Sequence, residues 1–172
     1  WTREMAELDA GVFRRLSVRP QYVVNCAGQT DLAWCEANAV EAFRCNAVMP
    51  LHVQRELFAA FNGLVPFIHL SSGCVWDGPF KEDGTPFLPE DPPRPACFYS
   101  WTKAACDAML LRETHGETAI LRPRQVYSPA NAPRNTLSKL RGYPQLLDTP
   151  NSMTSSDTIA QTIAALVATR GG

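Results

Sequence analysis

The apolar positions of this 172-residue chain fall into short unbroken runs separated by stretches of helical period. Three runs, Gln21-Tyr-Val-Val-Asn25, Val65-Pro-Phe-Ile-His-Leu70 and Thr118-Ala-Ile-Leu-Arg122, each predict a short buried strand. From about Asn38 to Phe61 apolar residues recur three and four apart (Val40, Phe43, Ala47, Leu51, Leu57, Phe58, Phe61), which predicts helix. Pro50 is expected to kink that helix or split it in two. Further helices are expected over 3–16, interrupted by Gly11, from about Tyr99 to Thr114, and as an amphipathic element from Asp157 to Thr169. Cys26–Asp31 reads as a tight loop. Prolines concentrate between Pro79 and Pro95 and again from Pro123 to Pro150, marking longer loops. Buried strands alternating with helices imply one α/β domain over residues 1–172, built on a doubly wound, mostly parallel sheet.

Composition narrows the possible partners. A formal charge of −1, a pI near 6.3 and the lack of any Lys/Arg cluster argue against a nucleic-acid surface. No apolar stretch is long enough to cross a bilayer, and the amino end does not read as a signal peptide. The chain opens on Trp1-Thr2-Arg3-Glu4, as if mid-element, so a processed, truncated or partly observed protein is expected. None of the six cysteines (Cys26, Cys35, Cys45, Cys74, Cys97, Cys106) forms Cys-x-x-Cys, and His52, His69 and His115 have no ligand spacing. We therefore expect no metal site and reduced thiols, as in a cytoplasmic protein. Cys26 and Cys74, in or beside apolar runs, are expected to act as small hydrophobes.

In a parallel sheet of this kind ligands sit at the carboxyl ends of the strands. Three polar segments fall there: Asn25–Asp31, Ser71–Gly73 and Arg122–Tyr127. Tyr99-Ser100-Trp101-Thr102-Lys103 adds a phenol and an amine four residues apart, on one helical face. Acid/base work by tyrosine at neutral pH needs its pKa lowered by about 3 units, or about 4 kcal/mol. An ammonium about 4 Å away supplies about that much at an effective dielectric of about 20. The Ser72 hydroxyl is then placed to bond the same substrate oxygen as charge develops on it. The bland alternative makes Tyr99 a half-buried aromatic and Lys103 a solvated lysine.

Beyond these residues the chain resembles the extended short-chain dehydrogenase/reductase superfamily, and within it the dTDP-4-dehydrorhamnose reductase, sugar-nucleotide-binding branch. The resemblance runs through Val23-Val-Asn-Cys-Ala-Gly-Gln-Thr-Asp31 with Cys35-Glu36, Asn46, and His69-Leu-Ser-Ser-Gly-Cys-Val-Trp-Asp-Gly78. It continues through Glu90-Asp91-Pro92, Tyr99 to Lys103, Leu121-Arg-Pro-Arg-Gln-Val-Tyr127 and Asn151-Ser-Met-Thr154 with Asp157 and Ile159-Ala160. It implies a Rossmann-like sheet that lacks its first βαβ unit and most of the carboxyl-terminal substrate lobe. It also implies NAD(P)H-dependent reduction of a keto-sugar nucleotide or similar carbonyl, with NADP or NAD as cofactor and a homodimer as a possible assembly.

By the same resemblance Tyr99 gives a proton to the ketone, Lys103 lowers its pKa and binds the nicotinamide ribose, and Ser72 orients the carbonyl. Ala27, Gly28 and Gln29 lie along the dinucleotide, where a small residue lets the backbone approach closely. Gln125 falls at a substrate-contacting position. Asn46 either is satisfied inside its own helix or holds the active-site helix in place. Trp76 and Asp77 either rim the sugar site or, for Trp76, pack on the sheet edge.

The chain also departs from the pattern. It has no Gly-x-x-Gly-x-x-Gly fingerprint, so that phosphate-binding loop is expected upstream of residue 1, and dinucleotide binding by these residues alone is expected to be poor. Gly73 and Cys74 stand where many rhamnose-type reductases carry an aspartate and a tyrosine. Without that acid, elimination chemistry of the 4,6-dehydratase kind is disfavoured. Epimerisation with the same three residues, or a non-catalytic regulatory or binding role, are the alternatives to reduction.

Overall fold

The computed structural model describes residues 13–114, 117–130, 132, 133, 135–146 and 148–170. The helix expected over 3–16 lies outside them except for residues 13–16, of which Phe13 and Arg14 are helical; His115 also lies outside. Three strands, β1 (Val23–Asn25), β2 (Phe67–Leu70) and β3 (Thr118–Leu121), form a parallel sheet in the order β1-β2-β3. Val23 pairs with Phe67 and Asn25 with His69, while Phe67 pairs with Thr118 and Leu70 with Leu121. All three strands therefore end level with one another, which brings the polar segments after them to one rim. The parallel α/β sheet expected from the apolar runs is present, each strand shorter than its run because the flanking residues leave the ladder.

Between β1 and β2 the chain forms α1 (Leu32–Ala37), α2 (Ala39–Phe43), a π-helical turn (Arg44–Val48) and α3 (Met49–Phe61). Of the kink or split expected at Pro50, the split is what forms: the π turn divides the helical stretch directly ahead of that residue. Pro50 stands in the first turn of α3, which continues directly from the π turn, so its missing N–H leaves a gap in the helical bonding where the irregularity falls. There the Met49 N–H reaches back to the Arg44 carbonyl, five residues away, in the wide turn that defines a π segment. Helix α1 begins earlier than the periodicity suggests, because the Asp31 carboxylate caps it by accepting the Trp34 N–H at 2.9 Å.

Helix α4 (Phe98–Glu113) precedes β3, and α5 (Thr136–Arg141) and α6 (Ser156–Arg170) follow it. The main core joins α3 and α4 to one face of the sheet through Ala47, Leu57, Val65, Phe67, Cys106 and Leu110. Strand alternation puts Phe67 and His69 on this face together. After β3, the segment Arg122–Tyr127 runs beside two neighbours. Gly73 N donates to Pro123 O (2.9 Å), Thr154 N to Arg124 O (2.9 Å), and Tyr127 bridges to Ser155 just before α6. The start of α6 is thus tethered to the rim through Arg124–Tyr127. α5 falls inside the stretch from Pro123 to Pro150, which composition alone marks as loop.

Candidate active site

Tyr99 sits in the first turn of α4. The residue before that helix, Cys97, supplies no side-chain cap, and the Phe98 N–H donates instead to the Glu36 carboxylate at 2.7 Å. An acid from α1 thus serves as the helix's cap and complements its dipole. Tyr99 is packed in a small cluster with Cys35, Ala42, Cys74 and Cys97. Across the rim, Ser72 leaves β2 in extended conformation, and its Oγ accepts the Cys74 N–H at 3.2 Å as a short 3-10 turn begins (Gly73–Val75). The Ser72 hydroxyl lies within hydrogen-bonding reach of the Tyr99 phenol.

Burial pushes the Tyr99 pKa up, and the bond from Ser72 opposes that only in part. This corrects the expectation that Lys103 sits beside the phenol and lowers its pKa. Lys103 is also far from solvated, being 4 % exposed. Its Nζ donates to the Leu70 carbonyl at 2.8 Å and stands 3.5 Å from His69 Nε2. A buried ammonium needs an acceptor, and the carbonyl at the end of β2 provides one. Burial lowers the Lys103 pKa, with Cys106 and Asp107 opposing.

Asn46 connects the two halves of the rim. It is completely buried in the π turn, whose extra residue turns its side chain inward. Its Oδ1 accepts the Gln29 N–H at 2.8 Å, and its Nδ2 donates to the Gln29 carbonyl at 3.0 Å and to Thr102 Oγ1 at 3.2 Å. Thr102 Oγ1 in turn donates to the Tyr99 carbonyl at 2.7 Å. Asn46 is thus satisfied by backbone, but by the backbone of the loop after β1, and it ties that loop to α4. In that loop Ala27 N donates to Asn25 Oδ1 (3.1 Å), and the Gln29 side chain accepts from Thr30 N and Asp31 N. A Cβ on Gly28 would lie 3.1 Å from Asn46 Oδ1 and 3.9 Å from Lys103 Nζ. The structure therefore brings Gly28 close to Lys103, and Ser72 close to Tyr99, both beside helix α4.

Gln125 is exposed, in the left-handed region at φ 45°, and among the described residues no hydrogen bond joins it to Ser72, Tyr99 or Lys103. Trp76 takes the packing role: its ring stacks on Phe87, its Nε1 donates to the Asp91 carbonyl at 3.2 Å, and the Arg122 guanidinium lies 4.9 Å above it. Asp77 is exposed. All six cysteines are free thiols, but Cys26 is exposed rather than buried as a small hydrophobe, because it follows the last paired residue of β1; Cys74 is half-buried against Tyr99. Among the described residues no group of acidic, histidine or cysteine side chains could hold a metal ion, and no helix is long and apolar enough to cross a membrane.

Two arginines escaped the sequence reading. Arg122 Nε donates to Asp107 at 2.8 Å and its Nη1 to the Pro89 carbonyl at 2.8 Å. Asp107 is 1 % exposed, and burial raises its pKa against the opposing effects of Ser71 and Arg122. The Ser71 hydroxyl and Asp107 Oδ1 nonetheless meet no full hydrogen bond. Arg124 Nη1 donates to the carbonyls of Gly73 (3.1 Å) and Gly78 (2.9 Å), with Trp76 O at 3.4 Å, and its Nε donates to Asn151 at 2.7 Å. The lack of a side chain at position 73 has a local cause: a Cβ there would be 3.0 Å from Arg124 Cβ and 3.2 Å from the Arg122 carbonyl. Only charge inside an apolar helix face (Asp107) and two arginines beside a strand end could have signalled this network.

A three-stranded parallel sheet with helices in its connections, and polar segments gathered at its carboxyl rim, defines a Rossmann-like fold. Solved structures of that fold superpose well. A UDP-rhamnose synthase from Acanthamoeba polyphaga mimivirus matches with TM-score 0.78 and 23 % identity, over 94 % of this chain and 59 % of that one. The RMD protein of Pseudomonas aeruginosa, solved in complex with NADPH, matches with TM-score 0.74 and 18 % identity, over 89 % and 57 %. The chain belongs to the RmlD substrate binding domain family, whose model matches residues 7–170. It is 35 % identical over 152 residues to the bifunctional dTDP-4-dehydrorhamnose 3,5-epimerase/dTDP-4-dehydrorhamnose reductase of Arabidopsis thaliana, covering 82 % of this chain and 48 % of that protein. With the dTDP-4-dehydrorhamnose reductase of Mycobacterium tuberculosis the identity is 31 % over 121 residues, covering 70 % and 38 %. The chain spans less than half the length of these two curated relatives.

Proposed function

We propose that the protein reduces the keto group of a nucleotide-linked sugar, using NADPH or NADH as hydride donor. The observation that carries this reading is the Ser72 hydroxyl in reach of a buried Tyr99 phenol, with the Lys103 amine held on the Leu70 carbonyl at the end of the strand that leads to Ser72. The relatives named as reductases of dTDP- or UDP-linked 4-keto-rhamnose supply the substrate class. Neighbours of this fold solved with NADPH, NADP and NAD are in keeping with a nicotinamide dinucleotide as the hydride donor.

A bound reduced nicotinamide supplies the hydride to the carbonyl carbon. The chain's own residues do the rest. Burial keeps the phenol protonated through neutral pH, which is the state a proton donor needs when a ketone becomes an alcohol. Ser72 donates a second hydrogen bond to the same oxygen and stabilises its developing charge. Its Oγ accepts from Cys74 N, and its proton, directed at the Tyr99 phenol in this structure, would turn to the substrate oxygen when a ketone is bound. Lys103 offers its remaining N–H donors on the Gly28 side. The residues fit one end of a dinucleotide: Gly28 presents bare backbone beside the amine, and Asn46 fixes the loop that carries it.

Tyr99→Phe is the test. Turnover of dTDP-4-dehydrorhamnose with NADPH should fall by at least about a thousandfold, within the range general acid catalysis supplies, while NADPH affinity stays within about threefold. A Tyr99→Phe protein with turnover near wild type would remove the phenol from the mechanism.

A further inference from the structure

Beneath Lys103 lies an imidazole that the proposed reaction does not use. His69 is fully buried on β2. Its Nδ1 is 3.0 Å from Asn25 Nδ2, and its Nε2 is 3.5 Å from both Cys106 Sγ and Lys103 Nζ. The backbone decides how these groups share protons. The Ala27 N–H can only donate, so the Asn25 atom it meets at 3.1 Å is the amide oxygen. Asn25 therefore presents its NH2 to the ring. An NH2 also only donates, so Nδ1 is the ring's acceptor and the ring proton sits on Nε2. Burial and the nearby ammonium keep the ring neutral. The Nε2–H then finds Cys106 Sγ as its acceptor.

This tautomer matters to Lys103. Its ammonium carries three donors. The Leu70 carbonyl takes one at 2.8 Å, and an imidazole with its proton on Nε2 takes none. The opposite tautomer would turn a lone pair toward the amine and draw a second donor inward, away from Gly28. We propose that Asn25 and His69 are positioning residues that leave two donors of Lys103 for a ligand seated against Gly28, by holding the imidazole in its Nε2–H form. The inference rests on the reading of Lys103 as a cofactor-binding amine and adds what keeps that amine available. It also links the loop after β1 to α4 by a second route, Ala27 to Asn25 to His69 to Lys103, beside the one through Asn46.

The tautomer is read directly from a long-range proton–nitrogen correlation spectrum of the 15N-labelled protein at neutral pH. Nε2 protonated and Nδ1 bare is the expected result; the reverse overturns the proposal whatever the activity, and an inactive protein with the expected tautomer would fault the functional reading alone. Asn25→Asp keeps an acceptor for the Ala27 N–H but replaces the NH2 with a second acceptor. The ring should then carry its proton on Nδ1, and the intact protein should show a KM for NADPH raised about tenfold, one charged hydrogen bond's worth, with kcat changed less than about threefold. An inverted ring with unchanged KM would break the link to Lys103. Cys106→Ala removes the acceptor of Nε2–H yet should leave the tautomer as it is; inversion there would assign control to the thiol and overturn the role of Asn25.

Discussion

Asn46→Ala tests the junction between the loop after β1 and helix α4. The substitution removes three hydrogen bonds, two to the backbone of Gln29 and one to Thr102, from a site with no solvent exposure. A typical internal hydrogen bond nets about 1 kcal/mol, and a buried group left unpaired costs about 1–3 kcal/mol. Gln29 is half-buried, so its freed N–H and carbonyl can regain water, whereas Thr102 keeps its bond to Tyr99 O. The sum is about 2–3 kcal/mol of lost stability. With a urea m-value of about 2 kcal/mol per molar, the unfolding midpoint should fall by about 1–1.5 M at unchanged m. Amide exchange at Gln29 should accelerate more than exchange in β2, since the loop loses its only side-chain clamp on that residue's N–H among the described residues. Asn46→Asp should not restore stability, because a carboxylate accepts from Gln29 N but faces the Gln29 carbonyl without a donor. A midpoint within about 0.2 M of wild type, with Gln29 exchange unaltered, would refute the clamp.

Two further outcomes follow from buried charge. Arg122→Met leaves the Asp107 carboxylate buried without its cation and should cost about 3–5 kcal/mol in urea unfolding, while Asp107→Asn combined with Arg122→Met should cost much less. His69, whose pKa is lowered to about 3, binds its proton less readily folded than unfolded. The unfolded chain therefore holds the extra proton between about pH 6.5 and 3, so this histidine's contribution is fully present above that window and is lost as pH falls through it. The loss amounts to about 5 kcal/mol, and a pH series of urea midpoints for His69→Gln should lack that segment of the slope.

Much of the molecule was legible in the chain, and for identifiable reasons. β1, β2 and β3 each lie within the apolar run that announces them, but only the central β2 is buried as expected; among the described residues β1 and β3 pair on one side only, and Val24 of β1 is exposed. Ser72 and Tyr99 could be placed at one rim because strand ends in a parallel sheet share a side. What periodicity could not give was the direction of long side chains. Lys103 is four residues from Tyr99, yet its amine goes to Leu70 O because burial makes an acceptor more valuable than proximity to a phenol. The π turn was equally hidden: a single widened turn leaves the three-and-four spacing almost intact while rotating Asn46 inward. Helix α5 escaped because six residues among prolines carry too little pattern. Arg122 and Arg124 escaped because an arginine beside a strand end usually means solvent, and only the fold shows that carbonyls from a distant loop gather around each.

That last arrangement has a consequence for how the molecule can vary. The excursion from Trp76 to Arg94 is stapled at its root by Arg124, which collects carbonyls from Gly73 and Gly78, and further along by Arg122, which holds Pro89 O. Both arginines lie just beyond the end of β3, two positions apart, so the excursion is held from that strand's end. Variation in the excursion is therefore confined at Lys81, which holds Asp91, and at Phe87, which stacks on Trp76, and is freest at the exposed turn around Gly84 between them, farthest from the root beside Ser72.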